Sequence, residues 1–238
     1  MKRAGRTALE LYPRGFRLFW LAPAVLALVV VPEAVQHVVE IRLGMFESKE
    51  AFRALQFDPT RMAVGYVKSA GVFLTILAAA RFWWTRSAGG AWYDPRGIAW
   101  GRLLVGFLLF GLVPLLPELA AGQIGKQAAF WIGIGLSLVL LPMLFLMIAG
   151  LFGDRDTPVS AMWRRAWPWL ILTAALAILA FVPAGWLHRM NHEWALGAPF
   201  VLVWALMIFD SLLVGLLAGL TGTAFYLGYA AFARPDPE

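Results

Sequence analysis

The chain of 238 residues contains no cysteine. That excludes disulfides, thiolate nucleophiles, cysteine-ligated zinc and iron–sulfur clusters together. Charge is also scarce, at 14% of residues, where soluble domains carry about 25%. The shortfall is filled by apolar side chains, 61% of the total, and mean hydropathy is +0.73. These values describe an integral membrane protein. Neither a Ser/His/Asp set nor a phosphate loop is present, and no nucleic-acid module accompanies the net charge of +6. Nucleic acid is therefore excluded as a partner, and the bilayer is the expected one. The cations stand at the ends of apolar runs, where they set topology and meet anionic headgroups.

Six apolar stretches are long enough for a hydrocarbon core of about 30 Å, which takes about 20 helical residues. They cover residues 18–39, 62–84, 99–117, 128–152, 166–187 and 199–220. Unbroken runs of this length exclude a transmembrane barrel, whose segments alternate over about 10 residues. The expected fold is an all-α six-span bundle forming a single transmembrane domain over 1–238, without a soluble domain. The stretch 194–233 has Asp210 as its one charge; it reads as one long helix reaching the headgroups at Tyr226, Tyr229 and Phe232. The N-terminal MKRAGRTALELYPRGFR resembles a signal sequence. Because Pro32 and Glu33 stand where a cleavage site would, an uncleaved first span is expected.

Most Lys and Arg residues, among them Arg14, Arg17, Arg81, Arg86, Arg155 and Arg234, fall on the side that holds the N-terminus. Arg42, Arg61, Lys68 and Arg189 lie opposite. The bias places both termini in the cytoplasm of a bacterial inner membrane. Trp83, Trp84, Trp92 and Trp100 form the inner aromatic belt, with Trp131, Trp186 and Trp194 on the outside. Residues 45–57 read as a short amphipathic helix in the outer interface between spans 1 and 2. Asp58-Pro59, Asp94-Pro95 and Thr157-Pro158 each offer an N-cap followed by proline at the first helical position. With an offset of 151, Pro32 aligns with Pro183 and His37 with His188, the pattern of a parallel internal repeat.

Thr157-Pro-Val-Ser and Trp163-Arg-Arg-Ala-Trp167 lead as a short amphipathic segment into span 5. The segment resembles its counterparts in bacterial six-span inner-membrane proteins of unknown function, the YciC-like group. The resemblance covers about fifteen residues and implies a fold type without an activity.

The chemistry-bearing residues concentrate on the outer side. Glu33, Gln36, His37 and Glu40 share one face of span 1. An ionised group at the centre of a span costs about 2.5–3.5 kcal/mol on insertion scales, so such groups face a bundle interior or a water cavity. Lys68 on span 2 lies as deep as Glu33 on span 1, and an ion pair between them follows. Glu40 is placed in the wet outer rim, and His37 with it. Asp210 has no basic partner evident at its depth, so either it is protonated through desolvation or it binds a cation or a proton.

His37, His188 and His192 all fall outside, the last two spaced HxxxH; with Glu40 they form an alternative metal set. His37 with His188 is the one pair that a haem could use. Every fourth residue of Ser211, Gly215, Gly219 and Thr223 is small, a stripe for close helix packing and for a second copy or partner subunit.

Three functions compete. The leading one is a membrane-embedded binding or transport component with an outward polar pocket of Glu33, His37, Lys68 and Asp210. It needs no cofactor. The alternatives are a metal-dependent membrane enzyme using the outer histidines and a non-catalytic subunit or assembly factor.

Overall fold

The computed structural model describes residues 2–233, so Arg234 lies outside the described residues, as do the side chains of Lys2, Arg3 and Arg6. The chain is all-helical, 85% helix, with no strand among the described residues. Twelve α-helices follow in order among the described residues: α1 Lys2–Leu21, α2 Pro23–Arg42, α3 Lys49–Leu55, α4 Pro59–Ser87, α5 Trp100–Phe107, α6 Leu116–Leu119, α7 Ala121–Ile124, α8 Lys126–Val139, α9 Pro142–Phe152, α10 Val159–Arg165, α11 Trp167–Ala195 and α12 Phe200–Ala233.

Five helical segments are long and apolar enough to cross a membrane. The count reaches six if α8 and α9, bent by 54°, make one span. Between α5 and α6 the helix passes through a π turn and a 3-10 turn. Pro114 lies in the 3-10 turn and Pro117 in the first turn of α6, and each lacks the N–H that the regular ladder needs. The chain forms two compact units, one of residues 1–82 with 176–224, the other of 83–175 with 225–238.

In the first unit the helix ends fall elsewhere than hydropathy places them. The N-terminal basic stretch is itself a helix, α1, and the first membrane-length helix starts only at Pro23. The other ends overshoot. α2 continues to Arg42 and α11 to Ala195, because the polar residues after residue 187 remain helical. α12 is one helix of 34 residues.

Small residues on α12 let its neighbours approach. A Cβ on Gly215 would meet Val30, one on Gly219 would meet Leu18 and Leu26, and one on Gly222 would meet the Ile76 carbonyl of α4. The stripe expected for packing is thus covered from within the chain, with Ser211 and Thr223 buried beside it.

Two in-span prolines each leave a carbonyl without its helical donor, and the fold answers each. Pro183 frees Leu179, whose oxygen accepts a 2.7 Å hydrogen bond from the Tyr12 hydroxyl of α1. Pro32 frees Leu28, and Gly71 of α4 packs directly against that carbonyl. Removing the first answer is a small, specific lesion. Tyr12→Phe is expected to lower stability by about 0.5–1.5 kcal/mol, read from thermal unfolding in detergent.

Gly44 (φ +76°) and Gly197 (φ +71°) take the left-handed turns that close α2 and reverse the chain before α12. The Gly197 N–H donates to the Phe46 carbonyl at 2.8 Å and ties the two turns together. α3 is shorter than the amphipathic stretch read from sequence. Ser48 caps it by accepting from the Ala51 N–H. Asp58 caps α4, accepting from the Thr60 and Arg61 N–H groups as Asp58-Pro59 foretells.

The second unit is organised by α9, in which every residue is buried. α5 lies against it through two reciprocal close approaches, Gly106 on the Met147 backbone and Gly150 on the Leu103 backbone. Tyr229, expected among the headgroups, is fully buried instead. Its ring packs against Trp84, Phe145, Phe152 and Phe232, and its hydroxyl donates to Asp154 at 2.6 Å. Trp84, half-buried, stacks on Phe152 at 4.6 Å.

Thr157 is not the cap of α10. Its hydroxyl donates to Asp154, while Pro158 takes the cap position without a side-chain bond. Burial pushes the Asp154 carboxyl up. The hydrogen bonds from the Thr157 side chain and backbone, from Tyr229 and from the Asp156 backbone outweigh it and hold the group below the usual carboxylate range.

Candidate functional site

Four helical segments of the first unit deliver one polar cluster. α2 supplies Glu33, Gln36, His37 and Glu40, at spacings that keep them on one face, and all four are at most 2% exposed. α4 supplies Arg61 and Lys68. α11 supplies His188, Asn191 and His192, and α12 supplies Asp210, which is fully buried.

The contacts between α2 and α4 are ionic. Lys68 Nζ lies 3.3 Å from Glu33 Oε1, the pairing expected from matched depth. Arg61 Nε donates to Glu40 Oε1 at 2.8 Å. Both pairs obey one antiparallel register, since seven residues along α2 are matched by seven along α4. Gln36 Nε2 also donates to Glu40 Oε1, at 2.8 Å.

Asp210 is the centre of the second set of contacts. Its Oδ2 lies 3.2 Å from His37 Nε2, 2.7 Å from His188 Nδ1 and 3.6 Å from His192 Nε2. Asn191 Nδ2 donates to the other oxygen, Oδ1, at 2.9 Å. His37 joins the two sets, for its Nδ1 meets Glu40 Oε2 at 2.9 Å and its Nε2 lies 3.3 Å from Glu33 Oε1. Four buried side-chain atoms have no hydrogen-bond partner: Glu33 Oε2, Gln36 Oε1, Asn191 Oδ1 and His192 Nε2.

Two sequence expectations are corrected here. Glu40 and His37 are not in a wet rim but are among the most buried polar residues of the chain. Asp210 is not alone at its depth, since every histidine of the chain reaches it. Both corrections have one cause. Hydropathy along the chain gives no helix rotation: α2 turns His37 and Glu40 inward near its end, and α11 carries His188 and His192 toward Asp210 for about two turns beyond residue 187. Asp210 lies about 15 Å along α12 from its start, and His188 about 10 Å from the end of α11, so the two levels are comparable.

Glu33, His37, Lys68 and Asp210 are thus brought together as proposed. Of the metal set, His37, His188 and His192 surround Asp210, but Glu40 faces the far nitrogen of His37. Because His37 and His188 reach the same Asp210 oxygen, no space for a porphyrin lies between them. Arg61 and Asn191 were missed. Each had a signal: the register of Glu33–Lys68 extends to Glu40–Arg61, and Asn191 shares the helical face of His188 and His192.

A cleft of about 420 Å³ is lined by Gly44, Phe46, Glu47, Gly197 and Phe200 among others, and by none of the cluster's side chains. The Phe46 ring stands 5.7 Å from that of His192. Comparison with protein-family models, with curated proteins and with solved structures gave no match.

Proposed function

We propose that this chain is a six-span inner-membrane protein, both termini cytoplasmic, that holds a cation in its membrane-embedded polar cluster as a binding or transport component. The observation that supports it most is a charge imbalance. Within the cluster, the carboxylates of Glu33, Glu40 and Asp210 face two permanent side-chain cations, Arg61 and Lys68. One negative charge is left over in a low-dielectric interior, a costly state that a proton on an imidazole or a bound cation relieves. The cleft beside Phe46 supports access from the outer side. The cation asymmetry of the sequence supports the orientation, and α3 would lie in the outer interface.

Asp210→Asn in purified, vesicle-reconstituted protein tests the reading. Binding of Na+, K+, Mg2+ and Zn2+, their uptake, and proton leak are each compared with the wild type. At least one is expected to fall by 100-fold or more, and three unchanged values refute the proposal.

A non-catalytic subunit would use the same residues only to pack helices. Association through the Ser211–Thr223 stripe would then have to displace Val30 and Leu18 from Gly215 and Gly219.

A further inference from the structure

The cluster is more specific than a sink for positive charge. We infer that it is a four-coordinate site for a divalent transition metal of the zinc class, with His37 Nε2, His192 Nε2 and Asp210 Oδ2 as ligands and the fourth position supplied by Glu33 on a turn of its carboxylate. This rests on the cation-binding reading and names the class of cation.

The geometry comes first. Zinc holds nitrogen and carboxylate oxygen at about 2.0–2.2 Å in a tetrahedron, so neighbouring ligand atoms stand about 3.3–3.6 Å apart. Two edges of the set measure 3.2 Å (His37 to Asp210) and 3.6 Å (His192 to Asp210), and Glu33 Oε1 lies 3.3 Å from His37 Nε2. The donor atoms of His37, His192 and Asp210 all lie within 4.8 Å of one another. At 2.7 Å, His188 Nδ1 is instead at hydrogen-bond distance from Asp210 Oδ2, so it supports that ligand and is not one itself.

The surroundings are those of a metal centre. A ligating histidine keeps its metal-facing nitrogen by giving the other N–H to a carboxylate or carbonyl. His37 gives Nδ1–H to Glu40, and Glu40 is itself fastened by Arg61 and Gln36. Asp210 is held through Oδ1 by Asn191, which leaves Oδ2 directed to the histidines. His192 Nε2, in contrast, has no hydrogen-bond partner. A bound metal satisfies it. Glu33 Oε2 is likewise partnerless, so a turn of the carboxylate offers one oxygen to the metal and one to Lys68.

The chemistry selects the metal. Calcium and magnesium require six or more oxygens, or an octahedron rich in water, whereas two imidazoles and two carboxylates suit Zn2+, Fe2+ and Co2+.

Co2+ is the probe, because a four-coordinate Co2+ site absorbs visible light far more strongly than a six-coordinate one. The full chain, purified in detergent and stripped with chelator, is titrated with Co2+ and then with Zn2+. One Co2+ per chain is expected, with an intense visible band that Zn2+ abolishes. His192→Gln, which breaks no hydrogen bond, is expected to lose at least 100-fold in affinity while remaining monodisperse. Glu40→Gln is expected to lose 10- to 100-fold through His37.

A wild-type chain that takes up no Co2+, or that binds it no better than His192→Gln, overturns the metal assignment. A loss of Na+, K+ or proton handling in Asp210→Asn would still be seen in that case, so the two readings fail separately.

Discussion

Lys68→Met is expected to destabilise the protein by about 3–5 kcal/mol, the cost of leaving a buried carboxylate without its partner. Glu33 is fully buried, and its contacts are Lys68 and the ring of His37, each 3.3 Å from Oε1. Its other oxygen has no hydrogen bond. Removal of the ammonium therefore strands the charge where neither water nor a second strong donor reaches it. The reverse change is milder. Lys68 is 22% exposed and its long stem can carry the ammonium toward the interface, so Glu33→Gln alone is expected to cost less. The double variant Glu33→Gln/Lys68→Met is expected to recover most of the loss, because a neutral pair has little desolvation to offset. Thermal unfolding of the four proteins in one detergent measures the cycle. A double variant as unstable as Lys68→Met would show that the pair does not act as a unit.

The second large effect lies in the other unit, between α5 and α9. Gly150→Ala places a methyl on the backbone N and Cα of Leu103, and Gly106→Ala places one on the backbone of Met147. Backbone atoms cannot rotate aside, so the helices must separate. The Ala99 N–H also donates to the Gly150 carbonyl at 2.8 Å, and separation breaks that bond. Overpacking typically costs 1–3 kcal/mol, and the upper end, about 3 kcal/mol, is expected at either position. Once one methyl has forced the interface apart, the second should add little. Gly101 is the control. A Cβ there meets nothing within 4 Å, so Gly101→Ala is expected to leave stability unchanged or raise it by up to about 1 kcal/mol through helix propensity. Equal losses at Gly101 and Gly150 would refute the close-approach argument.

The membrane character, the helical class and the approximate spans were legible because they depend on local quantities. Run length and hydropathy are summed along the chain, and a helix satisfies its own backbone in lipid whatever its neighbours do. The Glu33–Lys68 pairing was legible for a related reason. Depth follows from rise per residue, and an antiparallel neighbour carries the opposite charge at the same depth.

What sequence order left open concerns rotation and neighbours. Hydropathy cannot distinguish a polar residue that ends a span from one that turns inward, and so Glu40, His37 and His192 were placed at the rim. The same limit hid α1, whose basic residues read as a leader although Leu11, Gly15 and Leu18 form a buried face.

Sequence alone determined that this protein is a helical membrane protein with a few costly charges near one end of its spans. Only the packing of α2, α4, α11 and α12 decided that those charges meet. Residues 33, 68, 188 and 210 converge through helix rotation and crossing, which are set by side-chain interlock at Gly71, Gly215 and Gly219. No local pattern encodes them.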